Sequence, residues 1–331
     1  MKAWRVASLG EPKEVLALEE VPEPVPGPGQ VAVRVLAAAA NFPDVLMCRG
    51  LYQEKPELPF TPGIELCGSV VAVGAGVTGF APGDRVIGYT VLPYGGLAEA
   101  ALLNASETFP APDALDDAGA GALYIGYQTG WFGLHRRAGL RAGETLLVHA
   151  AAGGVGSAAV QLGKAAGARV IGVVGGPAKA QVARELGADV VIDRHAQDFV
   201  EVVKAETGGR GADVIYDPVG GDTYKRSTKC IAFEGRILII GFAGGEIQSA
   251  ALNHALIKNY SIVGLHWGLY PRYEPSSLAE CHQALTALAA DGKIRPAVSE
   301  RLRLTDVADG VQRLADGLTT GRVVYDASAN Y

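Results

Sequence analysis

Cysteine is scarce and scattered. The four present, Cys48, Cys67, Cys230 and Cys281, make no CxxC pair. Neither a disulfide framework nor a thiolate metal cluster is spelled out, and a reducing compartment, the cytoplasm, suits such a chain. Long apolar runs are missing as well. No stretch approaches the roughly 20 apolar residues of a membrane span, and the opening Met1-Lys2-Ala3-Trp4-Arg5 has no apolar signal core. There is no excess of positive charge either. Lys and Arg total 29 against 35 Asp and Glu, a net charge of -6, which argues against nucleic acid or an anionic membrane as partner. What is there is a chain of 331 residues, 49% hydrophobic and 19% charged. That is enough for two domains and a sizeable core.

The first part of the chain, to about residue 123, is β-rich. Alternating runs such as Gln30 to Leu36 and Gly68 to Val73 are separated by Pro/Gly turns at Pro24–Gly29, Gly74–Gly79 and Pro82-Gly83-Asp84. Strands at this spacing predict a small barrel or sandwich. From Thr145 the pattern changes. Thr145–Val148, Arg169–Val174, Val190–Ile192, Asp213–Tyr216, Arg236–Ile240 and Ser261–Leu265 are strand candidates. Helices Val155–Ala166 and Ala178–Leu186 lie between the first three, each stopped by a glycine, Gly167 and Gly187. Short apolar strands alternating with helices predict an α/β, doubly wound, six-stranded parallel sheet. The tail, from about Ser276, carries two helical segments, an extended stretch near Pro296–Leu302 and a final strand at Arg322–Tyr325. It is expected to rejoin the first domain.

The most informative run is His149-Ala150-Ala151-Ala152-Gly153-Gly154-Val155-Gly156-Ser157, at the first strand–helix junction. A tight turn in any α/β protein is the plain reading. In this context it also fits the dinucleotide fingerprint, with Ala151 standing for the first glycine. Gly153 lets backbone approach a pyrophosphate and Gly156 lets helix pack on strand. The helix N-terminus, at Gly154 and Val155, offers free N–H groups to that anion.

Sites that bind NAD place an acid at the end of the second strand, on the ribose 2′-hydroxyl. Here that strand ends Val173-Val174-Gly175-Gly176, with no acid, and Lys179 follows. Arg194 ends the third strand. An uncharged strand end beside Lys and Arg suits a 2′-phosphate, hence NADPH; the alternative is that both are solvated surface charges.

Asn41-Phe42-Pro43-Asp44, Arg49-Gly50-Leu51-Tyr52, Pro62-Gly63-Ile64-Glu65, Gly83-Asp84-Arg85-Val86, the run His149 to Gly156 and Gly187-Ala188-Asp189 together resemble the medium-chain dehydrogenase/reductase superfamily. Within it they are similar to the zinc-independent quinone oxidoreductases, the zeta-crystallin-like branch. The resemblance spans essentially the whole chain. It implies a GroES-like catalytic domain of residues 1–123 and 268–331 around a Rossmann NADPH-binding domain of residues 124–267. Where zinc-dependent members carry Cys, His and Cys, this chain has Asn41, Ile64 and Ile125. Isoleucine has no donor atom for a metal, so no metal site is expected. The chemistry then starts from a good hydride acceptor: a quinone or, alternatively, the C=C bond of an enone or enoyl thioester. A non-catalytic NADPH-binding protein is the third possibility.

The same landmarks supply candidate residues. Asn41 would bond the substrate oxygen or the nicotinamide ribose, or simply cap a turn before Pro43. Tyr52 would donate a proton or hydrogen bond, line the pocket, or pack with its hydroxyl at the surface. Asp44 and Glu65 are expected to fix loops, since nothing near them in sequence suggests a shifted pKa. By resemblance Thr129, Val219-Gly220, Gly241-Phe242-Ala243-Gly244 and Leu265-His266-Trp267 lie along the cofactor, at strand ends where such sheets bind ligands. Trp267, Tyr127 and Tyr270 would form an aromatic wall or belong to the core, and His266 is expected to pack rather than catalyse. Ser261–Leu265 is expected at the sheet edge, where it would pair with a second copy as a homodimer.

Overall fold

The computed structural model describes residues 1–329. Two compact units are present. One comprises Met1–Ile125, Pro271–Ala290 and the stretch from Arg295; the other comprises Gly126–Tyr270 and Asp291–Ile294. The tail as read from sequence includes Asp291–Ile294, which instead cluster with the second unit.

In the first unit β1 (Lys2–Val6) and β2 (Leu16–Glu20) form an antiparallel ribbon. β3 (Gln30–Ala39), β4 (Glu65–Val73), β5 (Arg85–Thr90) and β6 (Ala100–Pro110) pair in succession, and β6 pairs back onto β3. Four strands thus close into a barrel, which leaves no free edge among them. β3 outruns the barrel, and its last residues Ala37, Ala38 and Ala39 pair with Asp326, Tyr325 and Val324. That C-terminal strand, Arg322–Asp326, also pairs in parallel with Val298–Leu302. The tail therefore rejoins the first unit through strands rather than by helix packing alone.

The second unit holds β7 (Thr145–Val148), β8 (Arg169–Val174), β9 (Val190–Asp193), β10 (Ala212–Asp217), β11 (Ile231–Ile239) and β12 (Ser261–Gly264). Their order is β12-β11-β10-β7-β8-β9, all parallel. The winding reverses between β7 and β10, the switch point at which a doubly wound sheet binds ligands. Side chains on the strands are apolar because helices cover both faces; Leu147, Ile171, Ile192, Ile215 and Ile237 are wholly buried. Helices Gly154–Ala165 and Pro177–Glu185 leave the ends of β7 and β8. They are followed by the left-handed glycines Gly167 and Gly187, where a side chain would be strained.

Candidate active site

The turn after β7 is held by backbone. Ala151 N–H donates to Val173 O at 3.0 Å and Gly153 N–H to Ala150 O at 2.8 Å. The residue in the left-handed region is Ala150, at φ 50°, so the tight turn falls one position before the expected Ala151. A Cβ on Gly156 would stand 2.1 Å from Ala150 O. Only glycine lets the helix seat against that turn. Gly153 precedes the helix without a side-chain cap, and no carbonyl among the described residues accepts from Gly154, Val155 or Gly156 N–H. These orphan donors with the helix dipole suit a pyrophosphate.

The neighbouring strand ends are laced to this turn. Arg194 N–H donates to Val174 O at 2.9 Å, His149 N–H to Tyr216 O at 3.1 Å, Ile240 N–H to Asp217 O at 2.9 Å, and Leu265 N–H to Ile239 O at 3.1 Å. Gly175, Lys179 and Arg194 come together at the end of β8. The Arg194 side chain folds over Gly175, and its charge, after burial, helps lower the Lys179 pKa. No acid extends from the end of β8; the nearby carboxylate, Asp193 on β9, accepts Gly176 N–H at 2.9 Å and His195 N–H at 3.0 Å through Oδ1.

Beyond the switch point, Asp217 Oδ1 accepts Val219 N–H at 2.8 Å and Gly220 N–H at 3.0 Å. Ala243 N–H and Gly244 N–H donate to Pro218 O and Val219 O, which sets the Gly241–Phe242 turn against Val219 and Gly220. Thr129 lies, nearly buried, on helix Tyr124–Trp131. Trp267 follows β12 and is buried, its indole N–H donating to Gln128 Oε1 at 3.0 Å. Tyr127 is buried with its hydroxyl accepting from Gln161 at 2.7 Å, and Tyr270 stacks on Phe132 at 3.9 Å between centroids. Of the suggested aromatic wall, Trp267 and Tyr127 are anchored in the interior of this unit.

The first unit contains a buried polar cluster. Asn41 opens helix Phe42–Cys48, and Asp44 Oδ2 accepts Asn41 N–H at 2.7 Å, while Oδ1 accepts Gly63 N–H at 2.7 Å. Asp44 does fix two loops, as expected. Burial nonetheless pushes its carboxyl up to about 6, and the two N–H bonds only partly offset this. A shift is thus present where the sequence shows no sign of one. The Asn41 amide donates to Ala39 O at 3.1 Å and Glu65 Oε1 at 2.9 Å, and accepts from Arg322 Nη1 at 3.0 Å. Arg322 also pairs with Glu65, whose second oxygen accepts Ile125 N–H at 2.8 Å. Tyr52 lies beyond that helix, half-buried, with no hydrogen bond to its hydroxyl among the described residues. Burial, then the charges of Glu54 and Asp44, push its phenol up to about 12. It stays protonated throughout the neutral range.

The donors do not fit zinc. Ile64 and Ile125 are buried aliphatic side chains, and the Asn41 amide is engaged by Glu65 and Arg322. Among the described residues no three His, Cys, Asp or Glu side chains are grouped to hold a metal ion.

Residues 27–113 match the model of the alcohol dehydrogenase GroES-like domain, and residues 154–290 that of the zinc-binding dehydrogenases. A quinone oxidoreductase-like protein 2 homolog from Nematostella vectensis is 41% identical over 300 residues, covering 90% of this chain and 82% of that protein. The chain belongs to the zinc-independent quinone oxidoreductase branch of the medium-chain dehydrogenase/reductase superfamily. Among solved structures of this fold, Escherichia coli quinone oxidoreductase complexed with NADPH aligns with a TM-score of 0.90 at 31% identity, over 98% of this chain and 100% of that one. A protein described as an NAD-dependent alcohol dehydrogenase aligns with 0.87 at 32%, over 99% and 100%. Within this superfamily the scaffold alone therefore does not identify the dinucleotide.

Three participants escape a reading of the sequence. Arg322 lies 257 residues from Glu65, and Gln128 lies 139 from Trp267. Asp193 had a weaker signal, a carboxylate directly ahead of Arg194.

Proposed function

We propose that this chain is an NADPH-dependent oxidoreductase that delivers hydride to a quinone without zinc. The observation that carries this reading is the end of β8, where Gly175, Lys179 and Arg194 stand in the place of an acid beside the orphan N–H groups of Gly154 to Gly156. Gly153, Gly154, Val155 and Gly156 would hold the pyrophosphate, and Gly175, Lys179 and Arg194 the 2′-phosphate. Thr129, Val219, Gly220, Gly241, Phe242, Leu265 and Trp267 would hold the nicotinamide half. When bound, the reduced nicotinamide supplies the hydride.

The protein's own residues supply position and electrostatics. Tyr52, protonated and without a hydrogen-bond partner among the described residues, is suited to donate a hydrogen bond to the acceptor oxygen as negative charge develops there. Asn41 acts less directly. With both amide N–H bonds engaged, it ties the start of the helix that precedes Tyr52 to Glu65 and Arg322, as a positioning residue. The isoleucines at two of the three zinc-ligand positions support chemistry without a Lewis acid.

The partnerless Tyr52 hydroxyl also favours a second reading, reduction of an enone or enoyl-thioester C=C bond. Steady-state turnover of benzoquinone against crotonyl thioester separates the two. Faster thioester reduction, abolished in Tyr52→Phe, would overturn the quinone assignment, and NADPH binding with neither substrate consumed would favour a non-catalytic role. A homodimer is supported by the edge strand β12 and by the adjoining helix Leu252–Lys258, which buries none of its residues and exposes Leu252, Leu256 and Ile257. Four free, buried thiols suit the cytoplasm.

A further inference from the structure

Tyr52 stands on a segment with little to hold it. Leu51 N–H donates to Leu46 O at 2.8 Å at the end of helix Phe42–Cys48, and Arg5 Nη2 donates to Pro59 O at 2.8 Å. Between those two points, across Tyr52–Leu58, no backbone hydrogen bond is made among the described residues. Gln53, Glu54, Lys55, Glu57 and Leu58 are exposed. The hydrogen bond that does reach this segment comes from the barrel: Tyr89 on β5 donates its hydroxyl to Glu54 Oε2 at 3.3 Å. Tyr89 pairs with Glu65 across β4 and β5. Residues directly opposite in an antiparallel pair share a face, so Tyr89 stands on the face from which Glu65 reaches Asn41. Burial first, then the neighbouring Glu54 and Tyr52, raise the Tyr89 phenol well above its ordinary value. It stays a donor throughout the neutral range, and Tyr52 is near enough to act on it.

We infer that Tyr89 is a positioning residue for Tyr52: through Glu54 it pins the Tyr52 segment to the barrel, and so sets where the Tyr52 hydroxyl meets the acceptor oxygen. This rests on the reading of Tyr52 as donor. A strand of a closed barrel is a rigid support, whereas a segment without backbone bonds samples many conformers. One bond from the former selects among the latter. Glu54 follows Tyr52 by two residues, so fixing the carboxylate limits the reach of the phenol. A donor displaced by about 1 Å already loses rate. The tether is a single bond between a neutral phenol and an exposed side chain. Its loss should therefore slow turnover several-fold rather than abolish it.

The test combines steady-state kinetics with proteolysis of the folded full chain. Tyr89→Phe and Glu54→Ala should each lower kcat with benzoquinone about three- to tenfold. KM for NADPH should change less than about twofold, and the thermal midpoint should stay within about 2 °C. Glu54→Gln still offers an acceptor oxygen and should keep most of the rate. The double variant Tyr89→Phe with Glu54→Ala should be no slower than either single, because both remove the same bond. In a Tyr52→Phe background, adding Tyr89→Phe should change nothing further. Glutamyl endopeptidase should cut after Glu57 several-fold faster in Tyr89→Phe than in wild type. Rates and cleavage equal to wild type would overturn the inference, as would a Tyr89→Phe loss that persists in full without the Tyr52 hydroxyl. If wild type turns over crotonyl thioester and not benzoquinone, the quinone reading falls, and the same variants compared on the thioester decide the inference. Tyr52→Phe as fast as wild type with both acceptors would overturn the donor reading and the inference together.

Discussion

Arg322 and Glu65 form an ion pair inside the first unit with 4% and 0% of their side chains exposed. Asn41 and the Ile125 N–H complete the shell around the carboxylate, and Arg322 Nε has no hydrogen-bond partner among the described residues. Removing one member of such a pair leaves the other charge buried and uncompensated. Arg322→Leu should therefore cost about 3–5 kcal/mol in urea unfolding. Arg322→Lys should recover only part, because an ammonium lacks the fork that spans Asn41 and Glu65. A loss under about 1 kcal/mol for Arg322→Leu would show that water reaches the pair.

Asp44 gives a pH dependence of definite sign. Its folded carboxyl is raised from 3.8 to about 6 because burial outweighs the two N–H bonds it accepts. A group raised on folding contributes stability that is complete below its unfolded pKa and lost as pH rises through its folded one. That contribution should be present at about pH 4 and gone by about pH 7, a difference of about 3 kcal/mol. Asp44→Asn cannot ionise, so its stability relative to wild type should improve across the same window. Denaturant midpoints for both proteins at the two pH values check this; parallel curves would place the carboxyl back near its ordinary pKa.

Much of the second unit was legible because local signals agree there. Thr145–Val148 is a four-residue apolar run between a Gly-Glu turn and the glycine run, and the strand has those bounds. Gly167 and Gly187 end helices because a left-handed position was needed at each. Ala150 was not legible, since alanine announces no left-handed turn; the neighbouring strands and helix impose it. Asp44 and Glu65 could be seen as loop-fixing carboxylates, but the shift at Asp44 depends on burial that only the folded unit creates. Arg322 looked like the first residue of a last strand. What it touches was invisible, because strand pairing brings it to Asn41 from 281 positions away.

A substitution at Gly175 is expected to separate stability from cofactor choice. A Cβ there meets Arg194 Nε at 3.0 Å and His195 Cε1 at 3.3 Å, the mobile ends of side chains rather than backbone. Gly175→Ala should thus leave the thermal midpoint within about 2 °C while moving Arg194 aside. KM for NADPH should rise about five- to tenfold and KM for NADH should change less than about twofold, on the scale of a partly exposed charge-assisted bond. Equal increases for both cofactors would show that the substitution disturbs the turn itself.

Gly156→Ala should behave differently. Its Cβ would lie 2.1 Å from Ala150 O and 2.8 Å from the Ala150 carbonyl carbon, both backbone, so the helix must move away from the turn. NADPH and NADH binding should fall together, by more than about tenfold, with a lowered thermal midpoint. Fluorescence titration of both cofactors would show it; a loss confined to NADPH would contradict the pyrophosphate role.

Light scattering tests the dimer. At micromolar concentration the wild type should have twice the 34.3 kDa mass of one chain. The exposed pair Leu256→Glu and Ile257→Glu should give the single-chain mass with an unchanged circular dichroism spectrum. A wild type that is already monomeric refutes the pairing.

The strand Arg322–Asp326 has a consequence for synthesis. As the chain leaves the ribosome, β3 and β4 are complete long before the segment that carries Arg322 exists. Until then the carboxylate of Glu65 has no cation to meet it, and the exposed edge of β3 at Ala37–Ala39 has no strand to cover it. The second unit, contiguous but for Asp291–Ile294, has no such wait. Its sheet can form while the first unit is still open. Assembly of the first unit is set by its most sequence-distant contacts, which makes it the slower unit and the one most in need of protection from aggregation before it closes.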